Sequence, residues 1–322
     1  MNKIRNIEDT FNWVYGDSAL DAFLDINNYS YKTVKTGIKQ LDMVLNGGLS
    51  VGLTCIGALP SLGKTTLCLQ IADNIASNNK HVMFVTIEQT AEELLTKSLA
   101  RINYFRAGGL TVHDIETKSR ALYDRSEWTS LVDAVNEYND KISLYMHLFE
   151  AKNQPSVDDI ENAARFIAEQ AGEIPVIFID YLQLLKPSST TAMDKQNIDR
   201  NISALRQLAR DLETPIVLIS SLNRISYNNA VGLESFKESG SIEYSSDVLI
   251  SLQPTGFNEL VFDSKYKQKD NAKKMLKKIM QSEERELELN VIKNRNGRIQ
   301  DGIELLFLPS HGLFLEQTSI QF

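Results

Sequence analysis

Ile56-Gly57-Ala58-Leu59-Pro60-Ser61-Leu62-Gly63-Lys64-Thr65-Thr66 is the stretch from which the rest of the chain is read. An apolar run from Leu53 to Ala58 leads into it and an amphipathic pattern from Lys64 to Ala76 leads out, the strand, turn and helix that a phosphate loop requires. Backbone N–H groups of such a turn converge where the helix dipole also favours negative charge, so a triphosphate is held largely by main chain. Gly63 allows close approach, Lys64 is expected to reach the β and γ oxygens, and the Thr65 hydroxyl to ligate Mg²⁺. The pattern G-x-x-x-x-G-K-[ST] departs only at Ala58, which stands where it asks for glycine. Ala58, Pro60, Ser61, Leu62, Gly63, Lys64, Thr65 and Thr66 are therefore assigned to ATP.

Two carboxylates suit such a loop. Asp180 closes the buried run Val176-Ile177-Phe178-Ile179, which sets it at the carboxyl edge of a sheet, where a Walker B aspartate holds the metal. Glu88 closes Val82 to Ile87 in the same manner. It either orients and deprotonates the attacking water or serves as an acid at the start of the helix from Ala91, and spacing alone leaves both open.

Outward from these residues, short β-rich runs alternate with helical patterns. Strands are expected at Leu53 to Ala58, His81 to Ile87, Ile142 to Phe149, Val176 to Ile179, Ile216 to Ser220, Val248 to Leu252, Leu287 to Lys293 and Gly302 to Phe307. Helices are expected at Lys64 to Ala76, Ala91 to Asn103, Ser156 to Gln170 and Ile198 to Leu212. The alternation implies an α/β fold with a mostly parallel central sheet flanked by helices. Residues 1–35, too few to bury a core, read as an arm or linker, and 36–322 as one large domain. Lys265 to Lys278 holds seven lysines and one acid; a solvated helix or loose insertion is the plain reading, a nucleic-acid contact the sharper one.

The 322 residues are 43% hydrophobic and 24% charged, which excludes disordered and fibrous classes. With 34 Lys+Arg against 42 Asp+Glu the net charge is −8, so the chain does not coat nucleic acid with its whole surface, though a local basic channel stays open. No apolar run approaches the ~20 residues of a membrane span, and Met1 to Thr10 lacks the apolar core of a signal peptide. Cys55 and Cys68 lie in apolar segments and read as buried, reduced thiols. The expected location is cytoplasmic.

Several segments together resemble the C-terminal motor domain of DnaB-type replicative helicases, a RecA-like P-loop NTPase. Ala58 to Thr66 is similar to the family's A-x-P-S-x-G-K-T-T. Thr36-Gly37-Ile38 with Leu41-Asp42 and Gly47-Gly48-Leu49 resembles its entry segment, and Thr86-Ile87-Glu88-Gln89 its S-L-E-M strand end, whose glutamate is the catalytic base. Ile179 to Leu185 resembles I-D-Y-L-Q-L, Ser221-Leu222-Asn223-Arg224 resembles Q-L-N-R, Glu238 to Glu243 matches E-S-G-S-I-E, and Lys293 to Gly297 matches K-x-R-N-G. The resemblance runs from about Thr36 to Glu316.

It implies a homo-oligomeric ring, usually of six subunits, that hydrolyses ATP at subunit interfaces and moves along single-stranded DNA during replication. Arg295 is then the arginine finger and Lys293 its companion, acting on a neighbour's γ-phosphate. Glu238 and Gly240, with Lys237 at the family's arginine position, are implied to grip the DNA backbone. Ser221 replaces a glutamine that senses the γ-phosphate, and its short hydroxyl reaches less far. Lys237 keeps the charge but loses the bidentate fork. The family's helical N-terminal collar, which binds primase, has no counterpart in this sequence. Either the arm replaces it as a latch between subunits, or primase is a separate polypeptide; a helicase loader is a further candidate partner. Two other activities suit the same fold. A RadA-like recombination ATPase shares the T-G-I entry, but two cysteines cannot build its four-cysteine zinc site. An ATP-gated loader or DNA-binding adaptor without unwinding activity is kept open by Ser221 and the missing collar.

Overall fold

The structure is a computed structural model that describes residues 33–106, 109–118, 122–186, 194–222, 231–236, 240–258 and 269–317. The arm up to residue 32, Asn223, Arg224, Lys237, Glu238 and the start of the lysine-rich stretch lie outside the described residues.

After helix α1 (Lys39–Val44), the chain alternates strand and helix: β1 (Gly52–Ala58), α2 (Lys64–Ser77), β2 (Val82–Thr86), α3 (Ala91–Tyr104), α4 (Val112–Thr117), α5 (Arg125–Tyr138), β3 (Met146–Glu150), α6 (Val157–Ala171) and β4 (Val176–Asp180). There follow α7 (Asp194–Asp211), β5 (Pro215–Ser221), α8 (Gly240–Ser245), β6 (Val248–Pro254), α9 (Lys269–Gln281), β7 (Arg285–Asn294), β8 (Gln300–Leu308) and β9 (Leu313–Glu316). One sheet holds the nine strands of the described residues in the order β3-β2-β4-β5-β1-β6-β7-β8-β9. The first six in that order run parallel, as the alternation with helices predicts. From β6 onward the pairing is antiparallel: β7 to β8 and β8 to β9 are joined by connections too short for a crossover, whereas β7 turns back along β6 after the longer segment that carries α9.

Every residue of β1, β2 and β4 is buried, which is why these strands read as unbroken apolar runs rather than alternating ones. Cys55 and Cys68 are fully enclosed and burial pushes the Cys55 thiol up to about 12, so both are inert core residues. The flanking helices start where side chains supply caps. Thr90 and Glu93 close a reciprocal capping box at α3, Asp124 and Glu127 at α5, and Ser156 and Asp159 at α6, which stops at Gly172 with φ 77°.

One expected strand is shorter than anticipated. Ile142 to Phe149 divides, its first residues belonging to a π-helical turn over Asn139–Ser143 that prolongs α5, and β3 starts only at Met146. Tyr138 and Ile142 lie four residues apart and both pack against the core, so helical spacing prevails over alternation there. The helices α4 and α5 left little trace in the sequence, since the residues buried by α5 are only Ser130 and Ala134 and α4 buries none.

The entry segment is a structural staple. Asp42 accepts from the Thr36 amide at 2.8 Å and the Thr36 hydroxyl at 2.7 Å, while Asn74 on α2 donates to the Thr36 carbonyl at 3.0 Å. A second tie joins α2 to α3: buried Arg101 pairs with Asp73 and donates to the Gly312 carbonyl at 2.6 Å, and Ser98 donates to Asp73 at 2.7 Å. Burial raises Asp73 above the usual carboxylate range and Arg101 pulls it back, so the helix that begins at the phosphate loop is fixed by an ion pair away from it.

Candidate active site

All the strands that carry sequence-assigned site residues of the cleft end at one edge. Register places Ala58 beside Ser221 across β1 and β5, and Thr86 beside Asp180 across β2 and β4. The phosphate loop, Glu88, Asp180 and Ser221 thereby surround a single cleft of about 420 Å³ at the carboxyl ends of parallel strands. Leu62 is fully buried beneath the loop and Ala58 sits inside β1, so both shape the turn rather than face the cleft.

The loop's backbone is held in uncommon conformations. Ser61 has φ 63° and Gly63 φ 88°. A Cβ on Gly63 would approach the Phe307 ring to 2.8 Å, and that ring stacks on Phe314 with centroids 4.2 Å apart. Gly63 is thus required twice over, by its left-handed backbone and by the aromatic pair beneath it.

Within the cleft, the Lys64 ammonium donates to the Ser221 hydroxyl at 2.9 Å, and the Thr65 hydroxyl donates to Asp180 at 2.7 Å. Burial lowers the Lys64 pKa, with the Asp180 and Glu88 charges acting the other way. Burial likewise raises Asp180, against the Thr65 hydrogen bond and the Lys64 charge. Each desolvated group is one that an ionic ligand would satisfy: an anion at Lys64, a divalent cation between Thr65 and Asp180. The donor set and the left-handed loop therefore fit a nucleotide triphosphate with Mg²⁺. Glu88 is exposed on the cleft wall, just beyond β2.

The sequence reading missed Lys97. This α3 residue lines the same cleft and donates to the Gln89 side chain at 2.7 Å. Burial lowers its pKa, while Glu93 and Asp180 favour its charged form. The signal available was weak, a lysine two turns beyond a capping threonine on a helix whose first turn packs at the strand edge.

Lys293 and Arg295 stand at the opposite edge. Lys293 pairs with Leu249 and Asn294 with Val248, while Val248 pairs with Thr54 near the start of β1. The Arg295 amide donates to the Asp247 carbonyl at 3.0 Å, and Asp247 accepts from the Leu53 amide at 3.0 Å. The length of β1, about 20 Å at 3.3 Å per residue, separates them from their own phosphate loop. The Lys293 ammonium donates to the Glu243 carbonyl at 2.6 Å and Arg295 to the Tyr244 carbonyl at 2.7 Å, which caps the C-terminal end of α8. Arg295 and Arg206 share Asp247, at 3.4 and 3.3 Å. Gly240 begins α8; Lys237 and Glu238 lie outside the described residues.

The family model for the DnaB-like helicase C terminal domain matches residues 33–316. Among curated proteins, the chain is 29% identical to the replicative DNA helicase DnaB of Helicobacter pylori (strain J99) over 84% of its own length and 52% of the relative's. It is 27% identical to that of Geobacillus stearothermophilus over 88% and 56%, and 30% identical to a probable plasmid replicative DNA helicase of Chlamydia muridarum over 71% and 49%. The chain thus spans about half the length of these relatives. Among solved structures, an isolated ATPase domain superposes with a TM-score of 0.76 at 21% identity, covering 95% of this chain and 100% of that one. A DnaB-like replicative helicase, described with its interactions with primase, gives 0.73 at 20% identity, covering 95% and 67%. These likenesses establish the RecA-like fold.

Proposed function

The chain belongs to the DnaB-like helicase C-terminal domain family, and from that premise we propose that it is an ATP-dependent DNA helicase motor, working as a homo-oligomeric ring on single-stranded DNA in replication. The motor is assigned to residues 36–322, with 1–35 as an arm. The ring is taken as hexameric and the compartment as the cytoplasm; primase and a helicase loader are the candidate partners. Among the described residues no helix is long and apolar enough to cross a membrane.

The observation that carries this reading is the division of the catalytic set between two edges of one sheet. Lys64, Thr65, Asp180 and Glu88 gather at the carboxyl edge, and Lys293 and Arg295 at the amino edge about a strand's length away. A cation pair so placed serves a phosphate loop only in another copy of the chain, which is the arrangement of a ring with shared sites.

Within one site, Lys64 binds and neutralises the terminal phosphates, and Thr65 with Asp180 would hold Mg²⁺, which when bound offsets charge on the β and γ oxygens. Glu88 orients the water and accepts its proton. Arg295 and Lys293 of the adjacent copy stabilise the charge that develops on the transferred group. The same two cations hold the carbonyls of Glu243 and Tyr244, at the end of the helix that begins at Gly240, the last of the three residues assigned to DNA. Their engagement with a neighbour's phosphate and their grip on α8 therefore draw on the same donors, a physical route from hydrolysis to movement along DNA.

Strand displacement on a forked duplex with ATP and Mg²⁺ tests the reading. Unwinding that depends on hydrolysis is expected; ATPase stimulated by single strands with no duplex opening under any loading condition would leave a loader or adaptor in its place. For the DNA segment, Lys237→Ala is expected to weaken single-strand binding and flatten its salt dependence by about 0.7 in log–log slope, one phosphate contact. An unchanged slope removes Lys237 from the DNA contacts.

A further inference from the structure

The lysine-rich stretch has no part in the site just described, yet it is joined to it. Helix α9 runs into β7, which starts beside the carboxyl end of β6 with Leu287 opposite Pro254, and β6 pairs with β1 so that Leu252 lies beside Ala58. The helix therefore stands at the same sheet edge as the phosphate loop. It is two-faced: Leu276 is buried and Met275 and Ile279 pack on the core, whereas Lys274, Lys277 and Lys278 are exposed. Among the described residues none of these three lysines has an ion-pair partner, on a protein whose net charge is −8. Three exposed cations at spacings of three and four residues form one short ridge on a helix.

Arg285, the first residue of β7, ties that ridge to the nucleotide cleft. Its guanidinium donates through Nη1 to the Ser61 carbonyl at 2.7 Å, through Nη2 to the Met280 carbonyl at 2.7 Å and through Nε to the Ser282 carbonyl at 3.3 Å. The same group lies 5.7 Å over the Phe307 ring, the ring that packs against Gly63. One planar cation thus spans the last turn of α9 and the apex of the phosphate loop, at the residue held at φ 63°. Positive φ at a serine persists only where its surroundings impose it, and Arg285 is one of the groups that do so. Lysine, with a single point charge, lacks the fork to reach both carbonyls.

We propose that the exposed lysine face of α9 is a docking surface for the phosphate backbone of single-stranded nucleic acid, separate from Lys237, Glu238 and Gly240, and that Arg285 is the strut through which its occupancy reaches the phosphate loop. The inference rests on the reading of the chain as a DNA motor. By linkage, a strand bound on α9 changes nucleotide affinity, and nucleotide changes strand affinity by the same factor.

The test uses the full chain, a fluorescein-labelled oligothymidylate and a fluorescent ADP. Replacing Lys274, Lys277 and Lys278 together by glutamine, all at exposed positions, is expected to lower the log–log salt slope of strand binding by about 2, at about 0.7 per phosphate contact. Nucleotide affinity without DNA stays at the wild-type value in that variant. Arg285→Lys keeps strand binding in the absence of nucleotide but weakens ADP binding about tenfold, the effect of a charged hydrogen bond. In both variants the DNA-dependent change in ADP affinity shrinks towards none, and combining them shrinks it no further, because they interrupt one connection. A wild-type salt slope in the triple variant overturns the docking surface. A wild-type DNA-dependent change in Arg285→Lys, or additive losses in the combined protein, overturns the strut. A parent chain that binds no single strand at any salt concentration counts against the motor reading itself, so the two failures are distinguishable.

Discussion

Replacing Lys64 by alanine is expected to lower nucleotide affinity about a hundredfold or more and to bring turnover to background, while the protein stays folded. In the cleft the Lys64 ammonium donates to a neutral hydroxyl, Ser221 at 2.9 Å, and burial lowers its pKa. Its removal therefore relieves a desolvated charge and deprives the fold of little, so melting temperature should remain near the parent value. With nucleotide present the balance reverses. Charge-assisted hydrogen bonds are worth about 1.5–3 kcal/mol each, and two of them to phosphate oxygens account for the loss. Fluorescent-nucleotide titration alongside thermal unfolding checks both halves. Retained affinity at the parent level would remove Lys64 from the site, whatever happened to turnover.

Arg295→Ala is expected to behave in the opposite sense, leaving binding largely intact and reducing hydrolysis by about 10³-fold or more, the scale associated with an arginine finger. Because Arg295 lies at the amino edge of the sheet, its loss does not disturb the phosphate loop of its own chain. Glu88→Ala, at the carboxyl edge, should also abolish turnover, but through the other half of the site. Mixing the two inactive proteins is expected to restore partial ATPase, since some interfaces then receive an intact Glu88 from one copy and an intact Arg295 from the next. Absence of rescue in assemblies shown to contain both proteins would mean that the two residues do not complete each other's site.

Different layers of information lie behind these two expectations. Lys64, Thr65 and Gly63 were legible because a phosphate loop is a local device: strand, turn and helix are contiguous, and the requirements on each residue are met within eleven positions. Asp180 and Glu88 were legible for a related reason, since a fully buried strand reads as an unbroken apolar run and its end marks the edge where ligands bind. The open choice for Glu88 narrows with the fold, which puts it on the cleft wall beside the loop; the capping role at α3 belongs to Thr90 and Glu93.

Lys97 and Arg285 were not legible in the same way. Lys97 reaches the cleft and Arg285 the Ser61 carbonyl, each from an element far from the loop in sequence, and a lone lysine on a helix or arginine at a strand start carries no periodic signal. The division of Ile142 to Phe149 into a helical turn and a strand was hidden likewise, because an apolar residue at every second position there satisfies alternation while Tyr138 and Ile142 satisfy helical spacing.

The α/β class and the mostly parallel sheet, and the assignment of a phosphate loop with two carboxylates, follow from periodicity and local turn chemistry. Which edge of the sheet each cation occupies is a matter of long-range strand pairing. Lys293 lies near the end of a strand of ordinary pattern and Arg295 just beyond it. What sets them a strand's length from Lys64 is the antiparallel pairing of β7 with β6 and the parallel pairing of β6 with β1. Strand–helix alternation announces the parallel pairs, but the reversal at β7 depends on hydrogen bonds to a strand about thirty residues away and leaves no local pattern.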